Sequence, residues 1–121
     1  MFKESLESII DRTDGAIGAL IMGTDGIAVE KVMKPEAREL NLDVAAAEFT
    51  SLIRIAQRTG SDTGLGAARE LIISLDSAVI LLRMFTKDYF IVLAINPDGN
   101  IGRARYELRK AELVLSKEFA I

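Results

Sequence analysis

Two arginines, one helical turn apart, are the side chains of this chain with the best-defined chemistry. Arg54 and Arg58 lie in a segment of helical periodicity, so they face the same side of one helix. A guanidinium supplied to another protein's active site can accelerate phosphoryl transfer by roughly 10³–10⁵-fold. The ordinary role of such a pair is a solvated charge or an ion pair between subunits. We expect that ordinary role here.

A glycine-rich segment follows the arginine pair and contains Gly60, Gly64 and Gly66. Glycine-rich loops bind phosphate when they lead into a helix, because the backbone N–H groups of the first turn point at the anion. This segment leads into a predicted strand instead, and it lacks the Lys-Ser or Lys-Thr pair of a P-loop. We therefore expect a flexible connection rather than a phosphate site.

Near the C-terminus, four basic residues raise the possibility of a surface for an acidic partner: Arg103, Arg105, Arg109 and Lys110. Glu107 and Glu112 are interleaved with them. Acids and bases three or four residues apart on a helix pair with one another. The pattern therefore predicts a solvated, salt-bridged helix face.

The composition excludes several classes of function. The 121 residues include neither cysteine nor histidine, so the chain has no disulfide, thiol nucleophile, zinc finger or imidazole base. The net charge of −3 argues against a nucleic-acid-binding domain. No set of converging carboxylates, lysines, serines or tyrosines takes the place of the missing groups. We expect a protein that is not an enzyme, with no catalytic residue, metal or cofactor.

Membrane insertion and secretion are also not predicted. No apolar stretch reaches the roughly 18 uninterrupted residues of a membrane span. Lys3, Glu4 and Glu7 interrupt the N-terminal segment, which therefore lacks the apolar core of a signal peptide. We expect a cytoplasmic protein.

The elements that position these residues are readable from periodicity and turn signals. Their order is αββαβββα, within a single predicted domain of residues 1–121. Because this order does not alternate βαβ and the last three strands have very short connections, the sheet should be antiparallel. We predict an α+β fold with a five-stranded antiparallel sheet and helices on both faces. The predicted helices are 2–12, 42–59 and 100–119, and the predicted strands are 16–22, 27–33, 68–75, 78–85 and 89–95.

The central helix, 42–59, carries two apolar stripes, and a small domain can cover only one of them. The stripe predicted to face the core contains Leu42, Ala45, Ala46, Phe49, Leu52, Ile53 and Ala56. The opposite stripe requires a partner, and the apolar strand 68–75 would be a poor free edge. We therefore expect a dimer. The residues expected at its interface are Val44, Ala47, Ser51, Ile55, Leu71 and Ile73.

In element order, length and two-faced central helix, the chain resembles the roadblock/dynein-light-chain family, in particular its prokaryotic MglB-like members. The resemblance covers essentially the whole chain and rests on the combination of several segments. These segments are 15–21 (Gly-Ala-Ile-Gly-Ala-Leu-Ile), the turn 23–26 (Gly-Thr-Asp-Gly), the central helix, 69–85, the strand 89–95 and the last helix.

The resemblance implies a homodimer or heterodimer that serves as a regulator or platform for a small Ras-like GTPase. MglB-like members accelerate GTP hydrolysis by their partner, so the same effect is expected here without binding of nucleotide by the chain itself. Some bacterial members carry a C-terminal extension that contacts the GTPase. The sequence ends at Ile121, so contacts of that extension are not carried over. The polar residues expected to contact the GTPase are Glu48, Arg54, Gln57 and Arg58.

Two other functions are compatible with the predicted fold. A PAS- or profilin-like small-molecule sensor has a similar sheet, although its cavity needs convergent polar groups that the aliphatic interior predicted here does not supply. A dimeric scaffold or light-chain module without a GTPase partner is the second alternative.

Overall fold

A computed structural model describes residues 2–37 and 39–119. It confirms the predicted α+β architecture, with three α-helices and a five-stranded antiparallel sheet in the order αββαβββα. A short 3₁₀ turn, Pro35–Ala37, precedes the central helix. The elements are α1 (Phe2–Arg12), β1 (Ala16–Gly23), β2 (Ala28–Met33), α2 (Leu42–Thr63), β3 (Glu70–Ser74), β4 (Val79–Met84), β5 (Tyr89–Ile95) and α3 (Ile101–Glu118).

The strand order across the sheet is β2-β1-β5-β4-β3, and every neighbouring pair is antiparallel. The central strands read as nearly unbroken apolar runs because helices cover both of their faces. Along β5, alternate side chains enter different cores: Leu93 and Ile95 pack towards α1 and α3, whereas Val92 and Ala94 pack towards α2. β2 forms one edge of the sheet. β3 forms the opposite edge.

The central helix is longer than the sequence pattern predicted. It ends at Thr63 rather than near residue 59, so the first part of the expected flexible connection is helical. Gly60 is buried inside this last turn, where a Cβ would overlap the backbone carbonyl oxygen of Gly66. Gly64 then ends the helix in the left-handed conformation (φ +75°) that glycine adopts without strain. The prediction that Gly60 belongs to a flexible connection is therefore wrong: this residue lies inside α2, where the absence of a side chain permits close contact between two backbone segments.

Other boundaries differ by one or two residues from those predicted. β3 and β4 are each shorter at both ends than the predicted strands 68–75 and 78–85, and β1 extends by one residue to Gly23. Asn100 lies outside α3 and caps it, since its side-chain oxygen accepts a hydrogen bond from the backbone N–H of Arg103 at 2.9 Å. None of the helices within the described ranges is long and apolar enough to cross a membrane.

Candidate dimer and partner interface

The outward face of α2 is apolar at its centre. Val44, Ser51 and Ile55 are exposed, with 48% of Ile55 accessible, whereas Ala47 is half-buried. Leu52 was predicted to face the core, but it is 41% exposed and lies on the outward side of the helix. The core contact of α2 is narrower than the predicted stripe because only one side of the helix rests on the sheet. Its fully buried residues are Leu42, Ala46, Thr50, Ile53 and Gly60.

The second predicted interface element, β3, is an edge strand with one side unpaired in the described sheet. Leu71 and Ile73 are half-buried and pack against the cluster beneath α2. Ile72, between them, points to the opposite face of the sheet and is exposed. β3 is therefore short, apolar and open along its outer edge, which is the type of strand that tends to pair with another chain.

Arg54 is engaged within the chain. Its Nη1 donates a hydrogen bond to the backbone carbonyl oxygen of Thr24 at 3.1 Å, across the turn that joins β1 and β2. Arg58, one turn later, is exposed and makes no ion pair with any residue in the described ranges. The two guanidinium groups are therefore not equivalent: Arg54 anchors a turn, and Arg58 is available to a partner.

Gln57 also has an internal role. Its side-chain oxygen accepts a hydrogen bond from the backbone N–H of Ala68 at 2.9 Å, and its side-chain nitrogen donates to the carbonyl oxygen of the same residue at 3.3 Å. This pair of bonds fixes the segment that leads into β3 against α2. The sequence pattern did not reveal this contact, because nothing local connects residues 57 and 68. Glu48 is exposed on the outward face of α2, beside the apolar residues.

The described residues offer no metal site, and the glycine-rich segment does not lead into a helix. Among the described residues, no group of three or more carboxylates could hold a metal ion. The glycine-rich segment leads into β3 and not into the N-terminus of a helix, as predicted. What α2 and β3 present together is an apolar helix face next to an open strand edge.

Proteins similar to this chain are found among the solved structures. No protein-family model matches the sequence, and no match is found among curated proteins. The chain is similar to MglC from Myxococcus xanthus, with 33% identity, 98% of each chain covered and a TM-score of 0.73. It has the same fold as the gliding protein MglB from Thermus thermophilus, with 18% identity, 95% and 85% coverage and a TM-score of 0.84. A Roadblock/LC7 domain from Streptomyces avermitilis is 15% identical, with 95% and 94% coverage and a TM-score of 0.81.

Proposed function

Since the chain belongs to the roadblock/dynein-light-chain (Roadblock/LC7) family, we propose that it is a homodimeric regulator of a small Ras-like GTPase. Proteins of this family are generally non-enzymatic regulators or scaffolds, and they oligomerise and bind GTPases. The observation that carries the proposal is the apolar outward face of α2 beside the open edge of β3. The cytoplasm, where Ras-like GTPases act, is the compartment that this function requires.

The α2 face is suited to contact with its own copy. An isologous interface brings the same patch from both subunits together, so the patch must complement itself. Val44 and Ile55 supply apolar area, and Ser51 permits close approach of two helices. Glu48 and Arg58 lie at the rim of this patch with opposite charges, so charges of one sign do not accumulate where two copies meet. This mixed pattern favours a homodimer.

The edge of β3 supports the same pairing. Antiparallel pairing of two copies of β3 would satisfy the free backbone groups and join both sheets into one. Leu71 and Ile73 lie on the face of β3 that α2 covers, so a strand-to-strand contact and a helix-to-helix contact can form on the same side of the molecule. The proposed interface therefore consists of Val44, Ala47, Ser51, Ile55, Leu71 and Ile73.

We also propose that the dimer stimulates GTP hydrolysis by favouring one conformation of the GTPase. A protein shifts a conformational equilibrium only as far as its affinities for the two states differ. Arg54 is held by the β1–β2 turn, so inserting it into another active site would require loss of its hydrogen bond to Thr24. The proposed effect therefore comes from a shaped surface, with Glu48 and Arg58 as contacts and the GTPase's own residues as the catalytic groups.

The decisive experiment combines binding with single-turnover kinetics. The host's small Ras-like GTPase, loaded with either GDP or a non-hydrolysable GTP analogue, is captured on the purified protein. Selective capture of the GTP form and faster hydrolysis are expected. Arg54→Ala and Arg58→Ala test for an inserted arginine. Lys3→Ala is the matched control, because it removes an exposed cation from α1 on the other side of the sheet. Hydrolysis unchanged by saturating protein would contradict the stimulating role.

A scaffold without effect on hydrolysis is the second candidate. The internal bonds of Arg54 and Gln57 favour it, since among the described residues they leave only Glu48 and Arg58 of the four predicted contacts without an internal bond. Capture of the GTPase independent of its nucleotide would support this candidate. A small-molecule sensor is the third alternative, and a ligand that co-purifies in native mass spectrometry would favour it.

A further inference from the structure

The acidic residues of α3 all turn away from its outer surface. The side chain of Glu107 is only 2% exposed and lines the groove between α1 and α3. Two cations of α3 itself pair with its carboxylate, Arg103 at 2.8 Å and Lys110 at 3.5 Å. Glu112 turns towards the sheet and accepts a hydrogen bond from Nε of Arg83 at 2.9 Å. Glu118 lines the groove between α1 and α3. The predicted salt bridges along α3 are therefore confirmed for Glu107, whereas Glu112 pairs with Arg83 on β4, and in the described part of the chain Arg109 and Lys117 pair with no acid.

What α3 presents outward is a stripe of cations around two large side chains. We call this stripe the α3 outer face: Tyr106, Arg109, Lys110, Leu113 and Lys117. Leu113 is 68% exposed and Tyr106 is 52% exposed, two helical turns apart. Arg109 and Lys117 lie one turn on either side of Leu113, and neither has an ion pair in the part of the chain that the structure describes.

The tyrosine ring is held in place by cations. The guanidinium of Arg103 lies 5.3 Å, and the ammonium of Lys110 5.4 Å, from the ring centroid of Tyr106, within the range of a cation–π interaction. The ring is therefore a preorganised, exposed aromatic group. Aromatic residues and arginine are also the types that dominate binding energy at protein interfaces.

A second copy of this chain does not fit the α3 outer face. All three charged residues of the stripe are cations, so an isologous contact would bring like charges together. The outward face of α2 differs, since it carries both signs. An anionic membrane also fits poorly: α1 packs beside α3, and its exposed Glu7 and Asp11 would be repelled by a flat anionic surface. A narrow acidic helix would contact α3 alone.

We propose that the α3 outer face is a docking surface for an acidic amphipathic helix of another protein. Apolar side chains of that helix would contact Tyr106 and Leu113, and flanking carboxylates would pair with Arg109 and Lys117. The face lies on the opposite side of the sheet from α2, so it stays open when α2 and β3 are occupied. Docking on this face does not depend on the proposed GTPase function.

The test uses a synthetic helical peptide of about 18 residues, with leucines two turns apart and glutamates one turn to either side of each. Binding is followed by fluorescence anisotropy and by amide shifts of α3. Leu113→Glu and Arg109→Glu should each weaken binding about tenfold or more. The controls, Leu65→Glu and Lys87→Glu, change another exposed leucine and another exposed cation elsewhere and should leave the affinity within about twofold.

Each outcome of the peptide-binding experiment either supports or overturns the proposed docking on the α3 outer face. Binding that is lost in Leu113→Glu, kept in both controls, and weakened by added salt would support it. The proposal is overturned if the peptide does not bind, if a scrambled peptide of the same composition binds equally well, or if the controls lose as much affinity. Binding to phosphatidylserine vesicles in place of the peptide would identify a membrane surface instead. Capture of the GTPase should be unchanged by Leu113→Glu, which separates this proposal from the previous one.

Discussion

Replacing Gly60 by alanine sets helix propensity, which favours alanine, against the close backbone contact between Gly60 and Gly66. Alanine is favoured over glycine in a helix by about 1 kcal/mol, so helix propensity alone predicts a more stable protein. In the structure, the added Cβ would overlap the carbonyl oxygen of Gly66 and lie 3.1 Å from its carbonyl carbon. Both are backbone atoms, and the N–H of Gly66 donates to the carbonyl oxygen of Gly60 at 3.0 Å. The connection to β3 must therefore move.

The expected cost exceeds the gain in propensity. Displacing the connection loses a backbone hydrogen bond worth about 1 kcal/mol. The strain of inserting a methyl group into a closed contact is typically about 1–3 kcal/mol. After the gain in helix propensity is subtracted, Gly60→Ala should lower the free energy of unfolding by about 1–3 kcal/mol, or the midpoint temperature by roughly 4–15 °C.

Urea unfolding followed by circular dichroism, at one protein concentration for all variants, measures this difference. Gly102→Ala is the matched control, because Gly102 lies in the first turn of α3 and a Cβ there would meet, among the described residues, only the side-chain oxygen of Asn100, at 3.5 Å. That variant should be unchanged or more stable by about 0.5 kcal/mol. A Gly60→Ala protein as stable as the unmodified chain would refute the reasoning.

Three further substitutions test the surfaces and the core. Ile55→Asp puts an unpaired carboxylate into the proposed dimer contact and should yield a monomer in sedimentation velocity. The control, Leu65→Asp, should keep the mass of a dimer. Equal masses for the two variants would contradict the proposed interface. Arg54→Ala removes the bond to the β1–β2 turn and should cost about 1 kcal/mol in urea unfolding. The same variant should keep hydrolysis of GTP within about twofold, and a loss of about 10³-fold would instead identify an inserted arginine. Arg83→Met leaves the partly buried Glu112 without its cation, while Glu70 keeps Arg105 at 2.7 Å, and should lower the free energy of unfolding by about 1–3 kcal/mol. The exposed Arg12→Met is the control and should cost about 0.5 kcal/mol or less.

The proposed dimer interface and the α3 outer face lie on opposite sides of the sheet, so each surface can be tested separately. The apolar face of α2 and the edge of β3 lie on one side, and the cationic face of α3 lies on the other. A substitution on one surface therefore leaves the other intact. Additive effects of paired variants are expected, because the sites share no contact.

The order of elements was determined by the sequence alone. Apolar periodicity distinguishes helices from strands, and the short connections between the last three strands permit only antiparallel neighbours. The unbroken apolar runs of β1 and β5 indicate that both faces of these strands are packed against other elements. Val44 and Ile55 were recognisable from the sequence as apolar residues that the core of one small domain cannot bury. These features are local, so a pattern of a few residues is sufficient to specify them.

The direction of individual side chains was decided only by the tertiary structure. Periodicity assigned Leu52 to the core, yet the sheet covers too little of α2 to reach it. It predicted that Arg54 is a solvated charge or pairs with another subunit, whereas this residue donates a hydrogen bond to a turn that lies 30 positions earlier in the chain. It predicted that Glu112 forms salt bridges with neighbouring basic residues of α3, whereas the carboxylate of Glu112 accepts a hydrogen bond from Arg83 on β4. A repeat of 3.6 residues states which side chains share a face of a helix, but packing against distant segments decides which face is covered, and so which charges the surface retains.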